Sequence, residues 1–325
     1  MTADREYDVV IIGGGPAGLA AGVYAARGRR KTVLLEKGVI GGQIALTELV
    51  ENYPGIKSIN GFDLAQAMLE QAESYGMEAA YVEVSGIERI GDLWTVHTSD
   101  GDYTAKAIVM TAGADYNKLG VPGEEAMIGK GVSYCATCDA AFFKDLETVV
   151  VGGGDAALEE AIFTTRYATK VTLVHRRDEL RGSAILQERA FANDKIEFKW
   201  NTVVTEILGD QQVTGAKLKD VVTGEESEMA TSAVFIFIGQ HPNTDFMGDL
   251  VPMDKGRHII VDEWMRTPQP GLFAAGDVRQ NSARQVASSV GDGVTAAIGA
   301  EHYIAEKFPD SPLHSAEPAE TTATA

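Results

Sequence analysis

The sequence runs to 325 residues, about twice an ordinary domain, so two compact units are expected, each with chain enough to bury a core. With 28 Lys and Arg against 47 Asp and Glu the formal charge is −19, which repels phosphate backbones and anionic bilayers and argues against nucleic acid or a membrane surface as partner. Two cysteines are too few for a secreted disulfide framework, and 35 glycines without a Gly-X-Y period must serve local turns.

The first residues, Met1 to Asp8, are acidic and polar and lack the positive charge of a secretory signal, so export is not expected and a cytoplasmic protein is. Val9 to Ala26 is apolar and long enough to span a bilayer, but Gly13, Gly14, Gly15, Pro16, Gly18 and Gly22 crowd it, which suits a turn and not a transmembrane helix. Tyr7 to Ile12 reads as a strand, Gly13 to Gly18 as a turn, and the Ala-rich stretch to about Arg27 as a helix. That order suits a dinucleotide phosphate. Gly13 permits the tight turn, Gly15 lets backbone approach a pyrophosphate, and Gly18 brings helix close to strand, while N–H groups of the helix start face the anion. The next strand, Thr32 to Leu35, ends in Glu36, whose carboxylate accepts from a ribose 2′-hydroxyl and repels a 2′-phosphate. FAD or NAD is therefore expected here.

Cys135-Ala136-Thr137-Cys138 is a C-x-x-C pair, a spacing that can form a disulfide across one turn, with two inert buried cysteines as the plainer alternative. A zinc site needs two further ligands, and the six histidines are scattered without an H-x-x-H, so no metal is expected. Asp139 follows the pair at once. A partly buried carboxyl there can hand a proton to a departing thiolate; a helix-start aspartate satisfying backbone N–H groups is the plainer role.

Thr148 to Val151, Gly152 to Ala157 and a helix over Leu158 to Tyr167 repeat the first pattern, with Val171 to Val174 as the following strand. Glu36 lies 23 residues after Gly13, and His175 lies 23 after Gly152, so His175-Arg176-Arg177 fills the slot of the acid. Those residues with Arg181 suit a ribose 2′-phosphate, which points to NADPH in the second copy. Gly271 to Asp277 is an apolar strand ending in Gly276-Asp277, read as the returning half of the first domain. The second domain is then an insertion, entered near Asn117 to Pro122 and left near Gly239 to Asp245. Pro309 to Ala325 is expected as a disordered tail.

A hydride donor and a dithiol are most simply linked by a flavin, so FAD is expected in the first domain. Electrons would pass from NADPH to FAD to Cys135 and Cys138 and then to an external disulfide, through a mixed disulfide. Nicotinamide and cysteine pair sit in one domain and must reach one flavin, so a domain rotation about the connections near Gly120 and Gly239 is expected.

GGGPAG at 13–18, GGQ at 41–43, ENYPG at 51–55, TAGA at 111–114, CATCD at 135–139, GGGDAALEEA at 152–161, HRRDELR at 175–181, AAGDV at 274–278 and RQV at 284–286 together resemble the low-molecular-weight, bacterial-type NADPH-dependent thioredoxin reductases over residues 6–306. The resemblance implies an α/β fold of two Rossmann-like, three-layer ββα dinucleotide-binding domains: an FAD domain of 1–116 and 247–325 and an inserted NADPH domain of 117–246. It implies a homodimer acting on thioredoxin, with Cys138 facing the flavin, Cys135 attacking the substrate and Asp139 as the acid. FAD would be held by Gly13, Gly15, Pro16, Ala17, Gly18, Glu36, Gly41, Gly42, Gln43, Asn52, Gly113, Gly276, Asp277, Arg284, Gln285 and Val286. NADPH would be held by Gly152, Gly154, Asp155, Ala156, Ala157, His175, Arg176, Arg177, Arg181 and Gly239. Ala140 stands where these proteins usually have glycine, Ala156 where Ser or Thr is common, and Ala283 where an aromatic often precedes Arg-Gln. Ala140 is expected to stiffen the redox turn. The competing readings are a flavin-dependent reductase of another thioredoxin-like or ferredoxin-linked partner, and a nonenzymatic flavoprotein redox sensor.

Overall fold

The computed structural model describes residues 5–47 and 50–313. The chain forms two compact units, one from the stretches up to Asp115 and from His241 onward, the other from Tyr116–Gln240. In chain order the first stretch holds β1 (Glu6–Ile12), α1 (Pro16–Arg27), β2 (Thr32–Glu36), α2 (Gly61–Ser74), β3 (Glu78–Tyr81), β4 (Val84–Ile90), β5 (Leu93–Thr98), β6 (Tyr103–Met110) and β7 (Ala114–Tyr116). Next come β8 (Val132–Ser133), α3 (Ala136–Asp139), β9 (Glu147–Gly152), α4 (Asp155–Thr164), β10 (Lys170–Val174), α5 (Ala184–Phe191), β11 (Ile196–Lys199), β12 (Thr202–Gly209), β13 (Val213–Asp220), β14 (Glu226–Ala230), β15 (Ala233–Phe237) and β16 (Gln240–Pro242). The return stretch holds β17 (Leu272–Ala274) and α6 (Val286–Lys307).

In the first unit β3, β2, β1 and β6 lie parallel, and β17 pairs parallel with the end of β6, Leu272 against Ile108 and Ala274 against Met110. The β4–β5 hairpin joins the start of the same strand antiparallel, Trp94 against Ala105. The returning segment thus completes the first sheet, as the sequence suggests. Alternation explains the layers: Val9, Ile11, Leu34, Ala107 and Val109 pack on the helix side with α1 and α6, while Val10, Ile12, Val33, Leu35 and Ile108 pack with Ile87, Trp94 and Val96 of the hairpin.

The second unit repeats the plan. Its parallel sheet runs β11-β10-β9-β15-β8, beside an antiparallel β12-β13-β14 ribbon. Val150, Leu173 and Phe235 face α4 and α5, whereas Val149, Val151, Val174 and Val234 face Val204, Ile207, Ala216 and Leu218 of the ribbon. Both units are therefore three-layered, with parallel strands buried on both faces.

The second crossing between units, after Gln240, comes ahead of the expected boundary at 246. Asn243 explains this, since its N–H donates to the Gly113 carbonyl and its Nδ2 to the Ala112 carbonyl, 3.0 and 2.9 Å, which ties it to the first unit. Of the expected tail, Ser311 lies within hydrogen-bond distance of Lys106 and Asp8, and 314–325 lie outside the described residues. Among the described residues no helix is long and apolar enough to cross a membrane.

Candidate active site

The first glycine turn links β1 to α1. Gly13 has φ +109°, and a Cβ there would run into the Thr111 carbonyl, so glycine is required. Gly15, at the N-cap of α1, faces open space where its Cβ would be, which leaves a cradle at the helix N-terminus for an anionic group. Glu36 closes the turn from the end of β2: Oε2 accepts from Gly14 N–H and Oε1 from Gly38 N–H, both at 2.7 Å. Gly42 borders this cradle, 3.6 Å from Gly15 by the position its Cβ would take.

The return stretch meets the same unit through side chains far apart in sequence. Asn52 Nδ2 donates to Gln285 Oε1 at 3.2 Å; within the first stretch, Gln43 Nε2 donates to Asp115 Oδ1 at 3.1 Å. Gln285 also caps α6 in a reciprocal pair with Ser288. Asp277 accepts from Ser282 Oγ at 2.8 Å, and burial pushes its carboxyl above the usual range. Beneath this turn, buried Asp292 accepts from Gly276 N–H and takes Arg279 in a two-point bridge at 2.7 and 2.9 Å. Neither partner of that bridge was singled out from sequence, because a 13-residue separation between loop and helix carries no pattern.

In the second turn Gly152 has φ +153° with the Phe237 carbonyl where a Cβ would go, and Gly154 faces open space as Gly15 does. His175 takes up the Glu36 position differently. It is buried, its ring fills the place of a Cβ on Gly153, and its Nε2 lies 3.0 Å from the Glu179 carbonyl. Burial holds the imidazole below its usual range. Arg176, Arg177 and Arg181 are exposed, and Arg181 N–H donates to Gly153 O at 2.7 Å, which fixes that arginine to the turn. Of the four basic candidates, His175 alone is turned into the core. Asp155 accepts from Ser183 N–H, Ala156 is exposed on α4 without a hydroxyl, and Gly239 O accepts from Asn117 N–H at 3.0 Å.

Cys135 and Cys138 are joined, with Cα atoms 5.3 Å apart and both residues partly exposed. Cys135 is the extended N-cap of α3, and the N–H groups of Cys138 and Asp139 return to its carbonyl at 3.3 and 3.1 Å. Asp139 caps no helix. Its Oδ2 instead meets Ser133 Oγ at 2.6 Å, while the Cys135 N–H donates to that same serine at 3.0 Å. Burial raises the Asp139 carboxyl above its ordinary value and the serine hydroxyl opposes this. Ser133, two residues before the pair, is thus a neighbour of the acid that sequence reasoning missed. Ala140 sits at φ −59°, ψ −28°, a backbone open to any residue, and is fully buried.

The family model described as pyridine nucleotide-disulphide oxidoreductase matches residues 7–293. The chain is 47% identical to a thioredoxin reductase of Bacillus subtilis over 307 residues, 94% of this chain and 97% of the relative. It is 49% identical to one of Listeria monocytogenes over 304 residues, 93% and 95% of the two chains. Among solved structures, thioredoxin reductase of Streptococcus pyogenes is 48% identical with a TM-score of 0.90, covering 94% of this chain and all of that one.

Proposed function

The chain belongs to the pyridine nucleotide-disulphide oxidoreductase family, and from that premise we propose that it is an NADPH-dependent thioredoxin-disulfide reductase using FAD. It is an oxidoreductase of the thioredoxin reductase kind, and the observation that carries the reading is the Cys135–Cys138 disulfide with Asp139 beside it, in the unit of the Gly152 turn. The open cradle at Gly15 supports FAD on Gly13 to Gly18, Glu36, Gly41 to Gln43, Asn52, Gly113, Gly276, Asp277 and Arg284 to Val286. The cradle at Gly154 and three exposed arginines support NADPH on Gly152 to Ala157, Arg176, Arg177, Arg181 and Gly239. Bound there, FAD supplies the two-electron link between a nicotinamide hydride and the disulfide.

The cysteines do the rest. Two electrons and two protons convert the disulfide to two thiols. Cys135 loses its proton to solvent and the thiolate attacks one sulfur of oxidised thioredoxin; that S–S bond breaks, and the departing sulfur takes a proton from Asp139, which solvent reprotonates. Cys138 then attacks Cys135 of the mixed disulfide, restoring the internal bond, and its thiol proton passes to the departing sulfur, so that thioredoxin leaves with two thiols. One unit must present the disulfide and the nicotinamide in turn, so it rotates between half-reactions. At the entry the N–H groups of Leu119, Gly120 and Val121 all donate to the buried Glu124 carboxylate, which also takes the Tyr134 hydroxyl. These bonds support a turning point of the entry ahead of Leu119, near the expected Gly120. A homodimer and a cytoplasmic site of action accompany this reading, the first testable by sedimentation.

Anaerobic titration tests the function: NADPH should bleach the flavin and then reduce thioredoxin disulfide. Cys138→Ser should leave flavin reduction intact and abolish disulfide reduction. Bleaching by neither NADPH nor NADH would move the protein to a ferredoxin-linked reductase or a redox sensor.

A further inference from the structure

A cysteine at the start of a helix usually has its thiolate favoured by unpaired N–H groups and the positive helix end. Around Cys135 those donors are engaged. Thr137 N–H donates to Glu160 Oε2 at 3.1 Å, and the Ala136 N–H bonds to the same carboxylate. The N–H groups of Cys138 and Asp139 both return to Cys135 O. Beside the Cys135 sulfur lies the Thr137 hydroxyl, 3.3 Å from Sγ.

Glu160 comes from α4, which packs on α3 from the second glycine turn, and it is partly buried. We infer that Glu160 is a positioning residue for the redox pair: its carboxylate occupies the N-terminal donors of the Cys135–Cys138 helix and, through its charge, holds back ionisation of the Cys135 thiol in the reduced protein. Burial pushes the Glu160 carboxyl above the usual range against the pull of its two N–H bonds, with Glu159 adding like charge. The single turn 140–143, which also packs on α3, is Ala-Ala-Phe-Phe and carries no titratable group; β8 brings the Ser133 hydroxyl, and Asp139 on α3 itself carries a carboxylate. The consequence suits an electron donor. A dithiol whose thiolate is not stabilised is the stronger reductant, whereas one stabilised by a helix end becomes an oxidant.

The inference rests on Cys135 and Cys138 being the redox pair, so its test avoids the nicotinamide route. The full-length flavoprotein is reduced with dithiothreitol, freed of it anaerobically, and treated with iodoacetamide between about pH 5 and 10, the rate at Cys135 being followed by mass spectrometry. Glu160→Gln keeps an acceptor for the N–H groups and removes the charge; its labelling midpoint should fall by on the order of one pH unit. Glu160→Asp keeps the charge and should stay near the wild-type midpoint. If Glu160→Gln fails to retain flavin, Glu160→Met is read in its place and should fall at least as far. An unchanged or raised midpoint in the uncharged variant, or equal shifts in the Asp and Gln variants, would overturn the inference. Failure of NADPH to open the wild-type disulfide would instead overturn the functional reading.

Discussion

Glu36 and His175 stand at the same step of two parallel copies, each 23 residues past the first glycine of its turn, and they treat that turn in opposite ways. Glu36 clamps its turn with charge, accepting from Gly14 and Gly38 N–H groups. His175 fills space against Gly153 with a buried ring, while Arg176, Arg177 and Arg181 lie at the surface. The backbone device is therefore shared while the end of the second strand differs, and on the proposed reading the residues that would select the ligand begin, in the second copy, one residue beyond the matched position.

The shared backbone gives the largest expected effect. Gly13→Ala and Gly152→Ala each place a methyl on a backbone carbonyl at positive φ, and each should cost more than about 3 kcal/mol in denaturant unfolding. Gly15→Ala and Gly154→Ala meet open space and should leave apoprotein stability within about 0.5 kcal/mol. The first should nevertheless lose flavin and the second NADPH affinity. Full flavin retention in Gly15→Ala would show that no phosphate lies against that turn.

The divergent ends come next. Arg176→Gln or Arg177→Gln removes a charge-assisted contact worth about 1.5–3 kcal/mol, so KM for NADPH should rise roughly 10- to 100-fold while that for NADH stays put. His175→Gln should cost about 1–2 kcal/mol of stability without changing the preference for NADPH over NADH. If the histidine variant lost that preference instead, the division between ring and arginines would be broken. Glu36→Gln should lower flavin affinity about tenfold, measured by equilibrium release of the flavin.

Sequence pattern revealed what is periodic or local. Both β-turn-α copies, the acid after β2, the C-x-x-C and the return of β17 to the first sheet all follow from short runs whose spacing is fixed by one strand or turn. It did not reveal Ser133 beneath Asp139, Glu124 fastening residues 119–121, or the Asp292 and Arg279 bridge under Gly276. The Ser133 contact and the Asp292–Arg279 bridge depend on how separate segments pack, and the Glu124 contacts run within one irregular loop, so no periodicity of the sequence encodes these partners. The same blindness grouped His175 with the arginines, since burial of a ring against Gly153 depends on the sheet and not on its neighbours in sequence.

The carboxylates extend the comparison between units to its smallest expected effect. Glu36 is met by two backbone N–H groups, Asp139 by one serine hydroxyl within a desolvated turn. Asp139 titrates above 3.8 in the folded protein, so between that value and its folded value the native state binds more protons than the unfolded chain. Unfolding free energy therefore falls as pH rises through this window, by at most about 1.4 kcal/mol per pH unit, and levels off above it. Asp139→Asn cannot titrate, so thermal melts should show the wild type losing ground to it from about pH 4 upward. Turnover with thioredoxin should fall on the same rise, since the proton to be delivered is gone. Ser133→Ala removes the hydroxyl that favours the charged form, so Asp139 keeps its proton to higher pH and the basic limb of the turnover profile moves upward. A limb that moved downward would mean that the serine holds the acid's proton in place, and that Asp139 differs from Glu36 in burial alone.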